Sequence, residues 1–237
     1  MNEASQAELV ELRHVDVARE EDPERLLVRG VTWSIREGEW WAICGGPASG
    51  KTALLATAAG LNAPSQGVVR IFGHDLAQAS ESERTAWRRE IGFVFEDGGR
   101  LLGRLSVAEN LALPLRYHAN LHADEARGRV EELLGLAGLE ALADALPSRL
   151  SPAMQRRVAL LRALAAPVRL LFLDDPLRGL APSDACWWLQ FLRDLRTAGS
   201  LALVVSTYDL AAWRGDADHF ALVEDGRFRE IARPEGA

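Results

Sequence analysis

A glycine-rich segment between a buried strand and a helix is the feature that most constrains how this chain folds. Residues 45–52 read GGPASGKT; the apolar run EWWAIC precedes them, and KTALLATAAGL, which has helical spacing, follows. The segment meets the pattern G-x-x-x-x-G-K-[ST], and its place between a strand and a helix is what makes this pattern specific. The sequence therefore predicts an α/β fold organised around a phosphate-binding loop, called the P-loop below.

The P-loop residues have the chemistry to hold the phosphates of a nucleotide. Backbone N–H groups of such a loop, together with the N-terminus of the following helix, attract phosphate oxygens. Lys51 is expected to contact the β- and γ-phosphates, and Thr52 is expected to bind Mg²⁺. Lys51 is also the only lysine among the 27 basic residues, which indicates a position that requires an ammonium group. The predicted nucleotide-binding residues of the loop are Gly45, Gly46, Pro47, Ala48, Ser49, Gly50, Lys51 and Thr52.

Two positions in the P-loop depart from a simple phosphate cradle. Pro47 has no N–H group to donate to a phosphate. Ala48 carries a Cβ atom, which is unfavourable if the backbone there has positive φ. A tight glycine turn that binds no phosphate is the alternative interpretation, although the flanking strand, the helix and the single lysine favour nucleotide binding.

A second candidate site lies in RLLFLDDP, residues 169–176. An apolar strand that ends at Asp174 places this carboxylate at the carboxyl edge of the sheet, beside the P-loop, where it can hold Mg²⁺ through water. Asp175 follows at the position of a base that activates water. A solvated turn at the strand end is the alternative for an isolated Asp-Asp-Pro, but the P-loop upstream favours the magnesium site.

Composition and charge restrict the partners. The net charge of -7 at pH 7 leaves no surplus of basic residues to replace counterions, so we expect no nucleic acid partner. Cys44 and Cys186 lie in apolar surroundings without metal-ligand spacing, which predicts buried thiols in a reducing compartment. The amino terminus shows no signal peptide, and no stretch reaches the roughly 18 apolar residues of a membrane span. We therefore expect a cytosolic chain.

Ordered motifs follow the P-loop along the chain: LNAPSQGVVRIFGHDL, IGFVFE, LSPAMQRRVALLRAL, LLFLDDPLRGLAP and VVSTYDL. Together, over nearly the whole chain, they resemble the nucleotide-binding subunits of ABC transporters. The resemblance implies an α/β, RecA-like P-loop core with amino-terminal antiparallel strands and an inserted helical subdomain. It also implies ATP and Mg²⁺ as cofactors and a transmembrane permease as partner, at the cytoplasmic face of the inner membrane. Strand and helix patterns predict one domain, 1–237, with a core at about 1–96 and 166–237 and a helical subdomain at about 97–165.

The resemblance further implies a second ABC subunit, identical or different, paired head to tail with this chain. Each ATP then lies between the P-loop of one subunit and the signature helix of the other. Ser151 in LSPAM matches the signature serine, which faces the partner's γ-phosphate; an ordinary helix N-cap followed by proline is the alternative. The stretch LSVAENLALPLRYHANL resembles the bacterial branches that handle lipids, most of all the lipid-asymmetry (MCE-associated) type, and its segment LALPLRYH is a candidate for docking a permease helix.

Most departures from the family pattern fall on catalytic positions. Glu96 stands where a glutamine senses Mg²⁺ and the attacking water, and it is kept as a candidate catalytic and metal-binding residue. Asp175 replaces the catalytic glutamate, and Tyr208 replaces the switch histidine with a phenol that stays protonated at neutral pH. Pro152 and Ala153 replace the two signature glycines, and Ala181 replaces the aspartate that links the two sites. The aromatic residue that stacks on adenine in the family is absent, and Arg19 lies near its position.

These substitutions leave two functional hypotheses. Lys51, Thr52 and Asp174 are the residues that bind MgATP, whereas the altered positions serve hydrolysis; acid–base groups alone contribute on the order of 10²- to 10⁴-fold. The first hypothesis is an ATP-binding subunit that drives or gates a permease, with slow or lost hydrolysis. The alternative is a non-hydrolytic structural subunit that uses ATP to stabilise a membrane complex. An unrelated P-loop kinase or GTPase is disfavoured by the order of the motifs.

Overall fold

A mixed sheet of ten strands organises the part of the chain that the structure describes. The computed structural model describes residues 7–19, 22–97, 101–118 and 122–235. The strands are β1 (Glu8–Arg19), β2 (Asp22–Arg36), β3 (Trp40–Cys44), β4 (Gln66–Ile71), β5 (His74–Asp75), β6 (Ile91–Val94), β7 (Leu170–Asp174), β8 (Ala202–Thr207), β9 (His219–Glu224) and β10 (Arg227–Ile231). The α-helices are α1 (Lys51–Ala58), α2 (Glu81–Glu90), α3 (Val107–His118), α4 (Ala123–Ala137), α5 (Pro152–Ala163) and α6 (Pro182–Ala198).

The strand order decides which loops meet. It runs β5-β4-β1-β2-β10-β9-β3-β8-β7-β6. Strands β9, β3, β8, β7 and β6 are parallel neighbours, whereas β1, β2 and β4 pair antiparallel. Parallel strands end at the same edge of a sheet, so the P-loop after β3 meets the ends of β7 and β8 there. The predicted α/β fold with antiparallel amino-terminal strands is confirmed.

The sheet separates two hydrophobic clusters. Leu171 and Leu173 of β7 belong to the cluster shared with α3 to α6, whereas Leu170 and Phe172 belong to the cluster shared with α1 and β1. This alternation follows from the strand geometry, in which successive side chains point to opposite faces. Both faces of β7 are covered, which explains why its sequence is a continuous apolar run rather than an alternating one.

Helix α2 and the short strands β5 and β10 are the elements that the sequence patterns do not predict. Trp87 is the one residue of α2 that is buried, so the helix has no apolar periodicity to reveal it. Its signal is instead a capping box, in which Ser80 accepts from the N–H of Glu83 and the Glu83 carboxylate accepts from the N–H of Ser80. A capping box involves only two residues, so it predicts a helix less clearly than an apolar stripe along the whole helix does.

The prediction that both cysteines are buried is wrong for Cys186, which is exposed. It lies on α6, whose buried stripe is formed by Trp188, Phe191 and Leu192, and Cys186 falls outside that stripe. Cys44 at the end of β3 is partly buried, and burial raises the pKa of its thiol. Among the described residues, none of the helices combines the length and the apolar character that crossing a bilayer requires.

Candidate nucleotide-binding site

The P-loop joins the end of β3 to the start of α1 and is packed tightly on both sides. Gly50 has a φ of 101°, and a Cβ atom there would lie 2.8 Å from a methyl carbon of Val28 on β2. A Cβ atom at Gly45 would lie 2.5 Å from the carbonyl oxygen of Val223 on β9. Glycine is therefore required at both positions, because neither neighbour leaves room for a side chain.

Ala48 lies in the left-handed region with a φ of 57°, so the condition under which its Cβ atom is unfavourable is met. Such a conformation costs a non-glycine residue roughly 1–2 kcal/mol, which exceeds the extra backbone entropy that glycine loses on folding. We expect Ala48→Gly to raise the free energy of unfolding by about 0.5–1 kcal/mol in urea denaturation. Ala53→Gly, inside α1, is the matched control and should lower it by about 1 kcal/mol. Destabilisation by both variants would contradict the prediction.

Lys51 is folded back across the loop. Its side chain is buried, and its ammonium donates to the carbonyl oxygens of Gly45 at 2.5 Å and Gly46 at 3.1 Å. The Nζ atom also lies 4.1 Å from the centroid of the Tyr208 ring. Burial lowers the pKa of Lys51, and Asp175 acts in the opposite direction. Because charge interactions strengthen where water is removed, this ammonium is well placed to bind an anion.

Thr52 and Asp174 meet at the edge of the sheet, as predicted. The Thr52 hydroxyl donates to Asp174 Oδ2 at 2.8 Å, and the Ser206 hydroxyl at the end of β8 donates to Asp174 Oδ1. Asp174 is buried and has both oxygens held. Ser206 was missed from the sequence; its signal is its place near the carboxyl end of the apolar run LALVVS.

Asp175 is a buried carboxyl group in an unusual backbone conformation. Its φ is 44°, in the left-handed region that aspartate tolerates better than most residues, and its N–H donates to the Ser206 Oγ atom at 3.0 Å. Burial, then the charge of Glu96, raises the pKa of Asp175 to about 6. Within the described part of the chain, its Oδ2 atom is buried without a hydrogen-bond partner. This carboxyl group is thus a stronger base than an exposed aspartate, and one of its oxygens is left for a ligand or water.

Glu96 is engaged by a residue that the sequence interpretation did not single out. The Arg178 guanidinium donates to Glu96 Oε1, and its Cζ atom lies 5.2 Å from the centroid of the Tyr208 ring. The Tyr208 ring therefore contacts two cations, Lys51 and Arg178. The sequence signal of Arg178 is its position, three residues after Asp175 in the same motif.

A cavity of about 660 Å³ opens onto these groups. Most predicted site residues line it: Ala48, Ser49, Gly50, Lys51, Thr52, Glu96, Asp174, Asp175 and Tyr208. Arg19, which the family resemblance puts near the adenine position, also lines the cavity. The rest of the wall consists of residues that the sequence did not indicate as ligands: Arg25, Leu27, Ala53, Ala56, Leu61, Asn62 and Phe95. The cavity extends from the P-loop towards the β1–β2 strands, as a nucleotide with its base beyond its phosphates would require.

The remaining predicted residues lie outside the cavity wall. Gly45 and Gly46 reach the site through their carbonyl oxygens, which accept from Lys51, and Pro47 is exposed on the loop. Ser151 caps α5, where its hydroxyl oxygen accepts from the N–H of Met154 at 3.3 Å. Since Ser151 is exposed and its helix begins there with Pro152, its role towards a partner subunit stays a prediction.

The donor set fits a nucleotide bound with Mg²⁺. Mg²⁺ prefers oxygen ligands and is typically held by one or two protein groups together with substrate phosphates. Thr52 and Asp174 supply a hydroxyl and a carboxylate that already lie 2.8 Å apart. The orphaned Oδ2 atom of Asp175 beside them is the kind of buried polar group that a ligand shell would satisfy.

The fold and the site together define a P-loop nucleotide-binding domain. The family described as ABC transporter matches residues 28–178, and the chain belongs to this family. ATP-binding domains of this family bind ATP with Mg²⁺, so these are the cofactors of the cavity described above.

Individual relatives agree with this assignment. The methionine import ATP-binding protein MetN of Bordetella avium (strain 197N) is 36% identical over 208 residues, which are 88% of this chain and 57% of that protein. MetN of Geobacillus kaustophilus (strain HTA426) is 35% identical over 203 residues, 86% of this chain and 59% of that protein. The chain thus spans less than two thirds of the length of these relatives. A dimeric structure of the ATP-binding cassette MJ0796 bound to ADP and Pi matches with a TM-score of 0.86 at 31% identity and covers 96% of this chain and 100% of that chain.

Proposed function

We propose that this protein is the ATP-binding subunit of a bacterial ABC transporter. It binds MgATP at the interface with a second ABC subunit and thereby drives or gates a transmembrane permease at the cytoplasmic face of the inner membrane. The observation that carries the proposal is the convergence of Lys51, Thr52 and Asp174 on one cavity at the end of the parallel strands. The dimeric state of the similar cassette with ADP and Pi supports the paired arrangement.

The relatives favour import of a small solute over transport of lipids. Both MetN proteins reported above are named for methionine import, and we propose a solute of that class. The lipid-handling branch was predicted from LSVAENLALPLRYHANL alone, and these relatives give it no support. Part of that stretch, residues 119–121, lies outside the described residues.

Within the site, this chain's own groups hold the nucleotide better than they activate water. Lys51 orients the terminal phosphates from the P-loop side, while Thr52 and Asp174 would hold Mg²⁺. The metal would supply charge screening of the phosphates. Asp175, one methylene shorter than the family's glutamate, keeps its carboxyl group close to the backbone at the end of β7. Slow hydrolysis is the consequence that we propose.

Four further positions support slow turnover. The Tyr208 phenol lies against Lys51 and has no basic nitrogen to act as the switch histidine does. Glu96 is paired with Arg178 rather than free to position water. On α5, Pro152 and Ala153 would weaken the partner's site, because proline lacks an N–H and both residues add side chains. Defects on both faces of a head-to-tail dimer would leave neither composite site intact.

A structural subunit is the second candidate function, because the substitutions fall on the groups of hydrolysis and spare those of binding. In that case ATP clamps two subunits together and holds a membrane partner without being consumed. The two candidate functions predict different changes in ATP turnover when the family's glutamate and histidine are restored at positions 175 and 208.

Restoring the family residues is the experiment that separates them. We expect Asp175→Glu combined with Tyr208→His to raise steady-state ATP turnover at least about tenfold, because each acid–base group typically contributes on the order of 10²-fold or more. The matched control, Asp175→Asn with Tyr208→Phe, should not rise. Phosphate release by the purified subunit, with its permease where the two co-purify, is the measurement.

The outcomes point to different functions. A rise in turnover supports a transporter motor slowed by its substitutions; an unchanged rate with tight MgATP binding supports the structural subunit. Several ATP hydrolysed per second by the unmodified protein would contradict slow hydrolysis. Thermal unfolding of each variant must accompany the assay, because glutamate is less well tolerated than aspartate at the positive φ of position 175.

A further inference from the structure

The γ-phosphate end of the cavity carries an excess of negative charge. Asp174, Asp175 and Glu96 all line the cavity, and a terminal phosphate brought among them would be repelled unless cations offset the charge. Lys51 is one such cation, and it approaches from the P-loop. Arg178 is a second cation: its Cζ atom lies 5.2 Å from the centroid of the Tyr208 ring that Lys51 also contacts, and its guanidinium is paired with Glu96.

We propose that Arg178 is a γ-phosphate ligand supplied by the same subunit, and that it exchanges Glu96 for the terminal phosphate when ATP binds. Arg178 would thereby distinguish ATP from ADP. This inference rests on the proposed function, since it concerns the same nucleotide site.

The Arg178–Glu96 pair is suited to such an exchange. Both side chains are partly exposed, 52% for Arg178 and 38% for Glu96, and ion pairs at such exposure are weak and easily replaced. A phosphate offers a guanidinium two parallel charge-assisted hydrogen bonds, whereas the pair with Glu96 runs to one carboxylate oxygen, Oε1. Arg178 Cζ lies 5.2 Å from the centroid of the Tyr208 ring, which lines the cavity. This cation–π contact would keep the guanidinium close to the cavity during the exchange.

The backbone around Arg178 connects the exchange to the signature helix. The carbonyl oxygen of Arg178 accepts from the guanidinium of Arg156, on the first half of α5, and its N–H donates to the carbonyl oxygen of Asp175 at 3.2 Å. Ser151, at the N-cap of α5, precedes Arg156 by a little more than one helical turn. A shift of Arg178 between Glu96 and a phosphate would therefore be transmitted to the end of α5 that we propose to face a partner subunit.

The test compares affinities for two nucleotides that differ in the γ-phosphate. Calorimetric titration of the full chain with MgADP and with the Mg²⁺ complex of β,γ-imido-ATP gives the affinity ratio for each variant. We expect Arg178→Ala to weaken binding of the triphosphate analogue on the order of 10- to 100-fold, the effect of losing a charged hydrogen bond, and to change MgADP binding by less than about threefold. Arg178→Lys, which keeps the charge but loses the planar fork, should fall in between.

Two controls make the result specific. Arg193→Ala removes another arginine that pairs with a carboxylate, Asp216, outside the cavity wall, and it should change neither affinity. Glu96→Gln releases Arg178 and removes a repelling charge, so it should tighten binding of the triphosphate analogue. That gain should disappear in the double variant with Arg178→Ala, because the released cation is then missing.

The possible failures are distinguishable. If the unmodified protein binds neither nucleotide, the proposed function fails. If it binds both and Arg178→Ala weakens both equally, or weakens neither, only the assignment of Arg178 is overturned, and the residue merely holds Glu96 in place. The Arg178→Lys variant keeps the test valid if the alanine variant unfolds.

Discussion

Replacement of Lys51 by alanine is expected to reduce the affinity for MgATP at least about 100-fold, the scale of losing more than one charge-assisted hydrogen bond in a desolvated site. Lys51 is 6% exposed, and its ammonium donates to the carbonyl oxygens of Gly45 and Gly46 in the P-loop. Calorimetric titration with MgATP measures the loss.

Lys51→Arg tests more specifically whether an ammonium is needed, because all the remaining Lys and Arg positions of the chain are arginine. A guanidinium is wider and planar, and the space between the loop carbonyls and the Tyr208 ring, 4.1 Å from Nζ, is shaped around an ammonium. We expect Lys51→Arg to lose nearly as much affinity as Lys51→Ala. Full affinity in the arginine variant would show that the position needs only a positive charge. Unchanged thermal unfolding in both variants would exclude loss of the fold as the cause.

The largest effect on stability is expected for Phe172→Ala. Phe172 lies in the middle of β7, fully buried, and its ring is stacked with that of Phe93 on the neighbouring strand at a centroid distance of 5.9 Å. Removal of a buried phenylalanine side chain costs roughly 3–5 kcal/mol, because both the burial of its apolar surface and its packing contacts are lost. The free energy of unfolding from urea denaturation, followed by far-ultraviolet circular dichroism, checks the value.

Phe228→Ala is the matched control. Phe228 lies on β10, is only partly buried and contacts Trp33 with a centroid distance of 5.3 Å. Its neighbours can close over the gap and water can enter, so we expect less than half the loss found for Phe172→Ala. Equal losses for the two variants would contradict the view that the centre of the sheet carries most of the stability.

Much of the site was predictable because its motifs are local. Gly45 to Thr52 are contiguous, and the strand before them and the helix after them follow from apolar patterns in the adjacent residues. Asp174 was predictable for the same reason, since a continuous apolar run ends at it and parallel strands place such ends at one edge. The structure confirms that Thr52 and Asp174 meet, although 122 positions separate them.

The contacts of Tyr208, Glu96 and Arg178 were not predictable in this way. They depend on β8 lying between β3 and β7 and on β6 lying beyond β7, and this strand order is not encoded in any one segment. The ion pair between Glu96 and Arg178 joins the end of β6 to the loop after β7, 82 positions apart. Sequence patterns identified the individual residue types but could not say which side chain would face which.

The sequence by itself determined the glycine-rich loop between β3 and α1, the carboxylate at the end of β7 and the α/β class, because each depends on residue types and apolar periodicity within a few residues. Only the tertiary structure decided the surroundings of those groups. It placed Ser206 on Asp174, the Tyr208 ring over Lys51 and Arg178 on Glu96. The physical reason is that packing of the whole sheet and its two hydrophobic clusters fixes the strand order, and the strand order fixes which charged side chains share the cavity.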